Sequence, residues 1–68
     1  MKLQVITPDK IAYQGEVTAV TVPGSAGSFQ ILKDHAAIVS TLEDGKVIIK
    51  GTDGEQVIII KGGVVEVK

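Results

Sequence analysis

The 68-residue chain contains no cysteine, no arginine and no tryptophan. Without cysteine, neither a disulfide framework nor a thiolate metal site can form. Without arginine, it lacks the planar side chain that binds phosphate and carboxylate groups in a bidentate manner. Phe29 and Tyr13 are the only aromatic residues, and the formal net charge is −1. Because nucleic acids and anionic membranes attract clustered cations, and single strands stack on aromatic rings, the composition argues against both as partners.

Long apolar segments are also missing. No apolar run exceeds four residues, as in Val57 to Ile60, whereas a membrane-spanning helix needs about 20. The chain starts with Lys2 and an alternating pattern, in which no signal peptide is visible. We therefore expect one soluble, intracellular domain over residues 1–68. A domain of this size buries only about 60% of the surface that its unfolded chain exposes, so its net stability is small.

The residues that are abundant favour β-structure. Val and Ile dominate the apolar positions, and their branched side chains suit a pleated sheet. Leu3 and Val5 alternate with polar residues in one strand, and Ile11 and Tyr13 indicate a second. Glycine or proline interrupts the chain every few residues, as expected for many short strands. The sequence predicts an all-β fold, a small antiparallel two-sheet sandwich.

Two Asp-Gly pairs, Asp44-Gly45 and Asp53-Gly54, indicate hairpins, because two-residue primed turns need positive φ. A bulge near Ala19 is expected to bring Val17 onto the same core face as Val20 and Val22.

Residues 34–42 are the only window that could form a helix. Its β-branched residues instead favour a turn followed by a strand. Residues 47–49 and 57–60 are apolar on both faces of a strand. Either another layer or a partner covers the second face, or some Ile side chains are simply exposed.

Catalytic chemistry is poorly supported. His35 is the only histidine; it lies beside Asp34, and no spacing favours a triad with Ser40. A zinc site would have only His35 and carboxylates as ligands, which is a poor ligand set for that metal. The glycine-rich residues 24–28 lack the Gly-Lys-Ser/Thr ending of a phosphate-binding loop and precede a strand. We expect no catalytic residue, no cofactor, no metal and no direct small-molecule ligand.

A lipoyl- or biotinyl-type carrier domain is an alternative all-β fold of this size. Such domains present a modifiable lysine at a hairpin tip. Lys46 follows the predicted Asp44-Gly45 turn, but it lacks the flanking methionine that is typical of the biotinyl type.

The stretch Val20 to Val39, VTVPGSAGSFQILKDHAAIV, resembles the signature of the epsilon subunit of F-type ATP synthases. That family typically reads strand, Pro-Gly, acidic-Gly, Phe-Gly, Ile-Leu, Pro-Gly-His-Ala-Pro. Further matches occur at the start Met-Lys-Leu-Gln-Val-Ile-Thr-Pro, at residues 15–17 (Gly-Glu-Val) and at residues 62–67 (Gly-Gly-Val-Val-Glu-Val). The resemblance therefore extends along essentially the whole chain.

The resemblance implies the N-terminal β-sandwich domain of a non-catalytic rotor subunit. The resemblance further implies that this subunit binds the gamma subunit of the central stalk and contacts the c-ring, and that it thereby couples proton flow to ATP synthesis. The complex is peripheral, on the cytoplasmic side of a bacterial inner membrane. The loop implied to face the c-ring comprises Pro23, Gly24, Ser25, Ala26, Gly27 and Ser28. The implied contacts with the gamma subunit are Ile31, Asp34 and His35.

This chain departs from the family pattern in several places. Ala26 and Ser28 occupy places that are often acidic, so charge pairing with basic ring loops is expected to be weaker. Lys33-Asp34 replaces Pro-Gly, and Ala37 replaces a proline, so the turn is expected to be less rigid. Phe29 is expected to be partly in the core. We also expect the domain to lack the family's final strand and its two C-terminal helices, and with them helix-type inhibition of ATP hydrolysis.

Overall fold

The structure is a computed structural model that describes all 68 residues, and every regular element in it is a β-strand. The strands are β1 (Lys2–Thr7), β2 (Lys10–Glu16), β3 (Ala19–Gly24), β4 (Gly27–Leu32), β5 (Ile38–Leu42), β6 (Gly45–Gly51), β7 (Gly54–Ile60) and β8 (Gly63–Val67). The first sheet has the order β2-β1-β8-β5 and the second has the order β4-β3-β6-β7. All neighbours are antiparallel. The predicted all-β sandwich is confirmed.

The core lies between the two sheets and follows the alternation of the sequence. Successive side chains of a strand point to opposite faces, so one residue in two reaches the interior. Leu3 and Val5 of β1, which alternate with polar residues, are buried in this way. The complete buried cluster is Leu3, Val5, Val17, Val20, Val22, Ile31, Leu42, Val47, Ile49, Ile60, Val65 and Val67. It includes no polar or charged residue, so burial is not offset by desolvated polar groups.

Val17 reaches this core at the point where the chain passes from one sheet to the other. It follows the last residue of β2, in the first sheet, and it precedes β3, in the second sheet. The chain therefore crosses between sheets at Val17 and Thr18, and the crossing resets the alternation. The amide of Thr18 donates a hydrogen bond of 2.8 Å to the carbonyl oxygen of Lys50, which anchors the crossing to β6. Ala19 is the registered partner of Lys50, so Thr18 and Ala19 both lie opposite that one residue, an irregularity of the kind predicted near Ala19. Val17, Val20 and Val22 are all buried, as predicted.

The two Asp-Gly pairs have different structures. β6 and β7 form a hairpin at the second pair, but its two-residue turn is Thr52-Asp53, and Gly54 with φ 127° is the first residue of β7. No residue other than glycine has positive φ, so the turn is not of the predicted primed type. Asp44-Gly45 is not a hairpin. It connects β5 in the first sheet to β6 in the second, so that prediction was wrong.

The window 34–42 forms a turn and then β5, as predicted. Of the two strands that are apolar on both faces, β7 leaves Val57 51% and Ile59 77% exposed. No further layer of this chain covers them. No helix long and apolar enough to cross a membrane is present.

Gly63, the first residue of β8, has φ 144°. A Cβ atom there would overlap the carbonyl oxygen of Ile6 in β1. Since that oxygen belongs to the backbone of a central strand, it cannot move aside without disturbing the β1–β8 pairing.

We predict that Gly63→Ala destabilises the domain by about 2–4 kcal/mol, through a strained φ and the overlap together. So small a domain would be largely unfolded by this change. Gly51→Ala is the matched control, because its φ lies outside the left-handed region and an added Cβ meets no atom within 4 Å. Urea denaturation followed by circular dichroism measures both variants. Equal stabilities would contradict the role of Gly63.

Candidate functional site

The segment 23–28 is a tight hairpin tip and not a six-residue loop. Pro23 and Gly24 are the last residues of β3, and Gly27 and Ser28 are the first residues of β4. They pair across the hairpin, Pro23 with Ser28 and Gly24 with Gly27. Only Ser25 and Ala26 form the turn, and Gly27 adopts φ 113°. The tip is therefore a pre-formed, uncharged projection of the second sheet.

Phe29 fixes the shape of this tip. It pairs with Val22 across β3 and β4 and is 36% exposed. Its ring lies directly over Gly24, where an added Cβ would come within 2.8 Å of the ring atom Cε1. Phe29 thus lies at the rim of the sandwich and outside the core cluster. Phe29 was expected to be partly in the core. It shares the inward face of β4 with buried Ile31 and pairs with buried Val22, but it lies on an edge strand at the rim, so part of its ring stays exposed.

The turn after β4 carries the second group of predicted contacts. The amide of His35 donates a hydrogen bond of 2.9 Å to the carbonyl oxygen of Leu32, which closes the turn. The ring nitrogen Nδ1 of His35 lies 2.8 Å from the carbonyl oxygen of Ala36, to which the ring N–H donates. Asp34 and His35 are both exposed. Local hydrogen bonds thus close the turn, and both side chains are accessible.

Ile31 does not join this accessible group. It is 1% exposed and belongs to the core cluster. Its neighbour Leu32 points to the opposite face of β4 and is 55% exposed. The predicted contact role of Ile31 does not fit the structure, since a buried side chain cannot meet a partner without opening the sandwich. Alternation along β4 gives that position to Leu32.

The two predicted regions lie at opposite ends of β4. The hairpin tip precedes Gly27 and the turn follows Leu32, so the length of the strand, roughly 17 Å, separates them. They form two separate surfaces, which suits contacts with two different partners or two parts of a large one. No group of three or more His, Asp or Glu side chains is placed to hold a metal ion.

A further exposed surface follows β7. Val57 and Ile59 project from the outer face of the second sheet, and Ile48 of β6 lies beside Val57. A groove of about 650 Å³ separates the end of β7 from the turn between β1 and β2. We did not assign these residues to a site from the sequence, although the apolar character of both faces of the strand was the available signal.

The carrier-domain alternative loses its structural basis. Lys46 is the second residue of β6, just after a crossing between sheets, and does not lie at a hairpin tip. The turn residues of the β3–β4 hairpin are Ser25-Ala26, and those of the β6–β7 hairpin are Thr52-Asp53. The turn residues of the β1–β2 hairpin are Pro8-Asp9, and none of the three turns contains a lysine.

Two carboxylates have lowered pKa values. The hydroxyl of Thr7 donates a hydrogen bond of 2.8 Å to Asp9, which together with a backbone hydrogen bond and the charge of Lys10 lowers the pKa of Asp9. The N-terminal ammonium of Met1, 2.8 Å from Glu16, lowers the pKa of that carboxyl by hydrogen bonding and by charge. Both groups are at the surface, so they orient the chain locally more than they stabilise it.

Comparisons with known proteins agree with the fold. The family model described as the beta-sandwich domain of the ATP synthase delta/epsilon chain matches residues 1–68. The chain is similar to the ATP synthase epsilon chain of Leptospira interrogans serogroup Icterohaemorrhagiae serovar copenhageni, with 46% identity over all of this chain and 54% of the relative. It is 45% identical to the one from Chlorobium limicola, over 97% of this chain and 76% of that protein. The chain thus spans about half the length of the Leptospira relative.

We predict that Thr7→Val raises the pKa of Asp9 towards the ordinary value for aspartate, because the largest stabilising hydrogen bond to the carboxylate is lost. Thr7→Ser keeps the hydroxyl and serves as the control. Carboxyl carbon chemical shifts in an NMR pH titration report the pKa directly. Since the pKa of folded Asp9 is lowered, its stabilising effect exists above the unfolded pKa and is lost as pH falls through the folded value. Identical titrations of the two variants would contradict the assignment.

Proposed function

Because the chain belongs to the family of the beta-sandwich domain of the ATP synthase delta/epsilon chain, we propose that it is a non-catalytic rotor module. In this proposal it binds the gamma subunit, contacts the c-ring and helps to couple proton flow to ATP synthesis. The observation that carries the proposal is the match to epsilon chains over the full 68 residues, at 46% identity for the Leptospira protein. Two separate accessible surfaces at the two ends of β4 support it.

The hairpin tip is the proposed c-ring contact. Its exposed residues, Ser25, Ala26, Gly27 and Ser28, have no charge, so the fit depends on backbone groups, hydroxyls and shape. The pairing of β3 with β4 and the Phe29 ring over Gly24 hold the tip in one conformation. A rigid tip suits torque transmission, since a contact that bends under load transmits less of it.

The turn after β4 is the proposed contact with the gamma subunit. Asp34 and His35 supply polar groups there, and exposed Leu32 takes the apolar role that the sequence assigned to Ile31. Interfaces concentrate their energy in a few apolar anchors, whereas rim charges mainly affect encounter and specificity. We place the assembled complex at the membrane periphery, on the cytoplasmic side of a bacterial inner membrane.

We predict that His35→Ala keeps the β-sheet spectrum but binds the isolated gamma subunit about five- to tenfold more weakly, as for an interface residue of moderate contribution. Gln14→Ala, an exposed polar change on the other sheet, is the control and should bind as the unmutated chain does. Isothermal titration calorimetry measures the three affinities. Equal affinities would remove His35 from the interface, and no binding by the unmutated chain would overturn the proposed function.

Leu32→Ala should weaken binding to the gamma subunit by about tenfold or more, because it removes the proposed apolar anchor. Ile11→Ala is a matched control: Ile11 is 54% exposed, against 55% for Leu32, but it lies on β2 in the other sheet. Both variants should unfold at nearly the same urea concentration as the parent chain, since neither residue belongs to the core. A larger loss of affinity with Ile11→Ala than with Leu32→Ala would place the gamma contact on the first sheet and contradict the role proposed for Leu32.

A further inference from the structure

The chain contains two Asp-Gly pairs, Asp44-Gly45 and Asp53-Gly54, and each has a nucleophile next to a carboxyl group. The backbone nitrogen of the glycine can attack the carboxyl carbon of the aspartate, and such an intramolecular reaction benefits from proximity. Glycine has no Cβ atom to hinder the approach, and it tolerates the backbone rotation that ring closure needs. The packing around each pair therefore decides which pair reacts.

The pair Asp44-Gly45 is restrained on both sides. The amide of Glu43, which precedes it, donates a hydrogen bond of 2.8 Å to the carbonyl oxygen of Pro23. Gly45 is the first residue of β6 and packs against the same proline, since an added Cβ atom would lie 3.1 Å from the Cβ of Pro23. Ring closure at Asp44 therefore requires the crossing between the two sheets to open.

The pair Asp53-Gly54 has few restraints. Asp53 is the second residue of the turn between β6 and β7, and Thr52, Asp53 and Gly54 are all exposed. An added Cβ atom at Gly54 meets no atom within 4 Å. The Asp53 carboxylate has neither an ion pair nor a side-chain hydrogen bond. The pairing of Gly51 with Gly54 holds this turn, and the end of a strand ladder is where a structure opens at the lowest free energy.

We propose that Asp53 is a site of spontaneous isomerisation to isoaspartate through a succinimide, and that the fold protects Asp44 from the same reaction. The restraints that distinguish the two pairs all lie within residues 23–54. Exposed turns of small and polar residues are also where covalent change in proteins concentrates.

The reaction needs no reagent other than water. The nitrogen of Gly54 forms a bond to the carboxyl carbon Cγ of Asp53 and gives up its proton, while the bond from Cγ to its hydroxyl group breaks and one water leaves. A water molecule then adds to the main-chain carbonyl carbon of Asp53, and the bond from that carbon to the nitrogen of Gly54 breaks. The peptide link now runs through Cγ, and the α-carboxyl group is free.

The product differs from the parent chain by one additional methylene group in the main chain, with no change in mass. A two-residue turn that is lengthened in this way cannot keep Gly51 and Gly54 paired in the same geometry. The free α-carboxyl group is what isoaspartyl methyltransferases methylate, with S-adenosylmethionine as the methyl donor. The isomerised turn is thus a substrate for that class of repair enzyme.

Incubation of the folded chain at physiological temperature and mildly acidic pH tests the proposal. After proteolysis, liquid chromatography with mass spectrometry separates isoaspartyl peptides from aspartyl peptides of equal mass, and an isoaspartyl methyltransferase with labelled S-adenosylmethionine identifies them. We expect isoaspartate to accumulate at Asp53 on the order of tenfold faster than at Asp44, because the turn opens more readily than the crossing. In concentrated urea, where neither pair is restrained, the two rates should converge.

Asp53→Glu should abolish the methyl labelling of the turn, because glutamate would have to close a larger imide ring. Asp44→Glu is the matched control, since Asp44 is also exposed, and it should leave the rate at Asp53 unchanged. Circular dichroism checks that both variants keep the β-sheet spectrum. An absence of isoaspartate at Asp53 overturns the proposal, and equal rates at the two pairs in the folded chain overturn the protection of Asp44. Because no partner subunit takes part, these outcomes are independent of the proposed rotor function.

Discussion

The apolar contact between the two sheets is the interaction on which the rest of the structure depends. Each of the four central strands contributes a valine without exposed surface: Val5 from β1, Val65 from β8, Val20 from β3 and Val47 from β6. Burying such a side chain stabilises a fold by about 1.5–3 kcal/mol. A domain this short often needs a disulfide or a metal ion in addition to its apolar core. This chain has no cysteine, and no cluster of side chains is placed to hold a metal ion, so stability depends on the apolar contact. Whatever function the domain has must leave this layer intact.

That constraint explains where accessible groups occur. Because alternate residues of every strand are committed to the interior, contacts with other proteins come from strand ends and outer faces. The two ends of β4 show the consequence. One is a hairpin tip held by Phe29 against Gly24, and the other is a turn closed by the hydrogen bond from His35 to Leu32. Both are ordered without charged networks, which suits a module whose proposed task is mechanical and not chemical.

The edges of the sheets are the remaining source of unpaired backbone groups. The two sides of the sandwich differ, because one is closed by a crossing of the chain and the other is open. The end of β5 is tied to the second sheet, because the amide of Glu43 donates a hydrogen bond of 2.8 Å to the carbonyl oxygen of Pro23. Gly45 packs beside the same proline, so the crossing from β5 to β6 closes one side of the sandwich. The opposite side, between β2 and β7, remains a groove.

The sequence by itself determined the class of fold, most of the strands and the family, because these depend on local features: branched residues, alternation and a motif in fixed order. The pattern of the strands also identified Val20 and Val22 as core residues, and it placed Leu3 and Val5 in a strand with one apolar face. It could not decide which strands share a sheet, since hairpins and crossings between sheets use similar turn residues. Asp44-Gly45 was therefore mistaken for a hairpin.

The site was predicted less completely for the same reason. The motif pointed to the tip and the turn as candidate contacts, but it could not show that Ile31 faces inward and Leu32 outward. A motif records the order of residues, whereas the face that each residue occupies depends on which side of β4 packs against the other sheet. Tertiary structure alone decided that side, because burial is a property of contacts between residues that are distant in the chain.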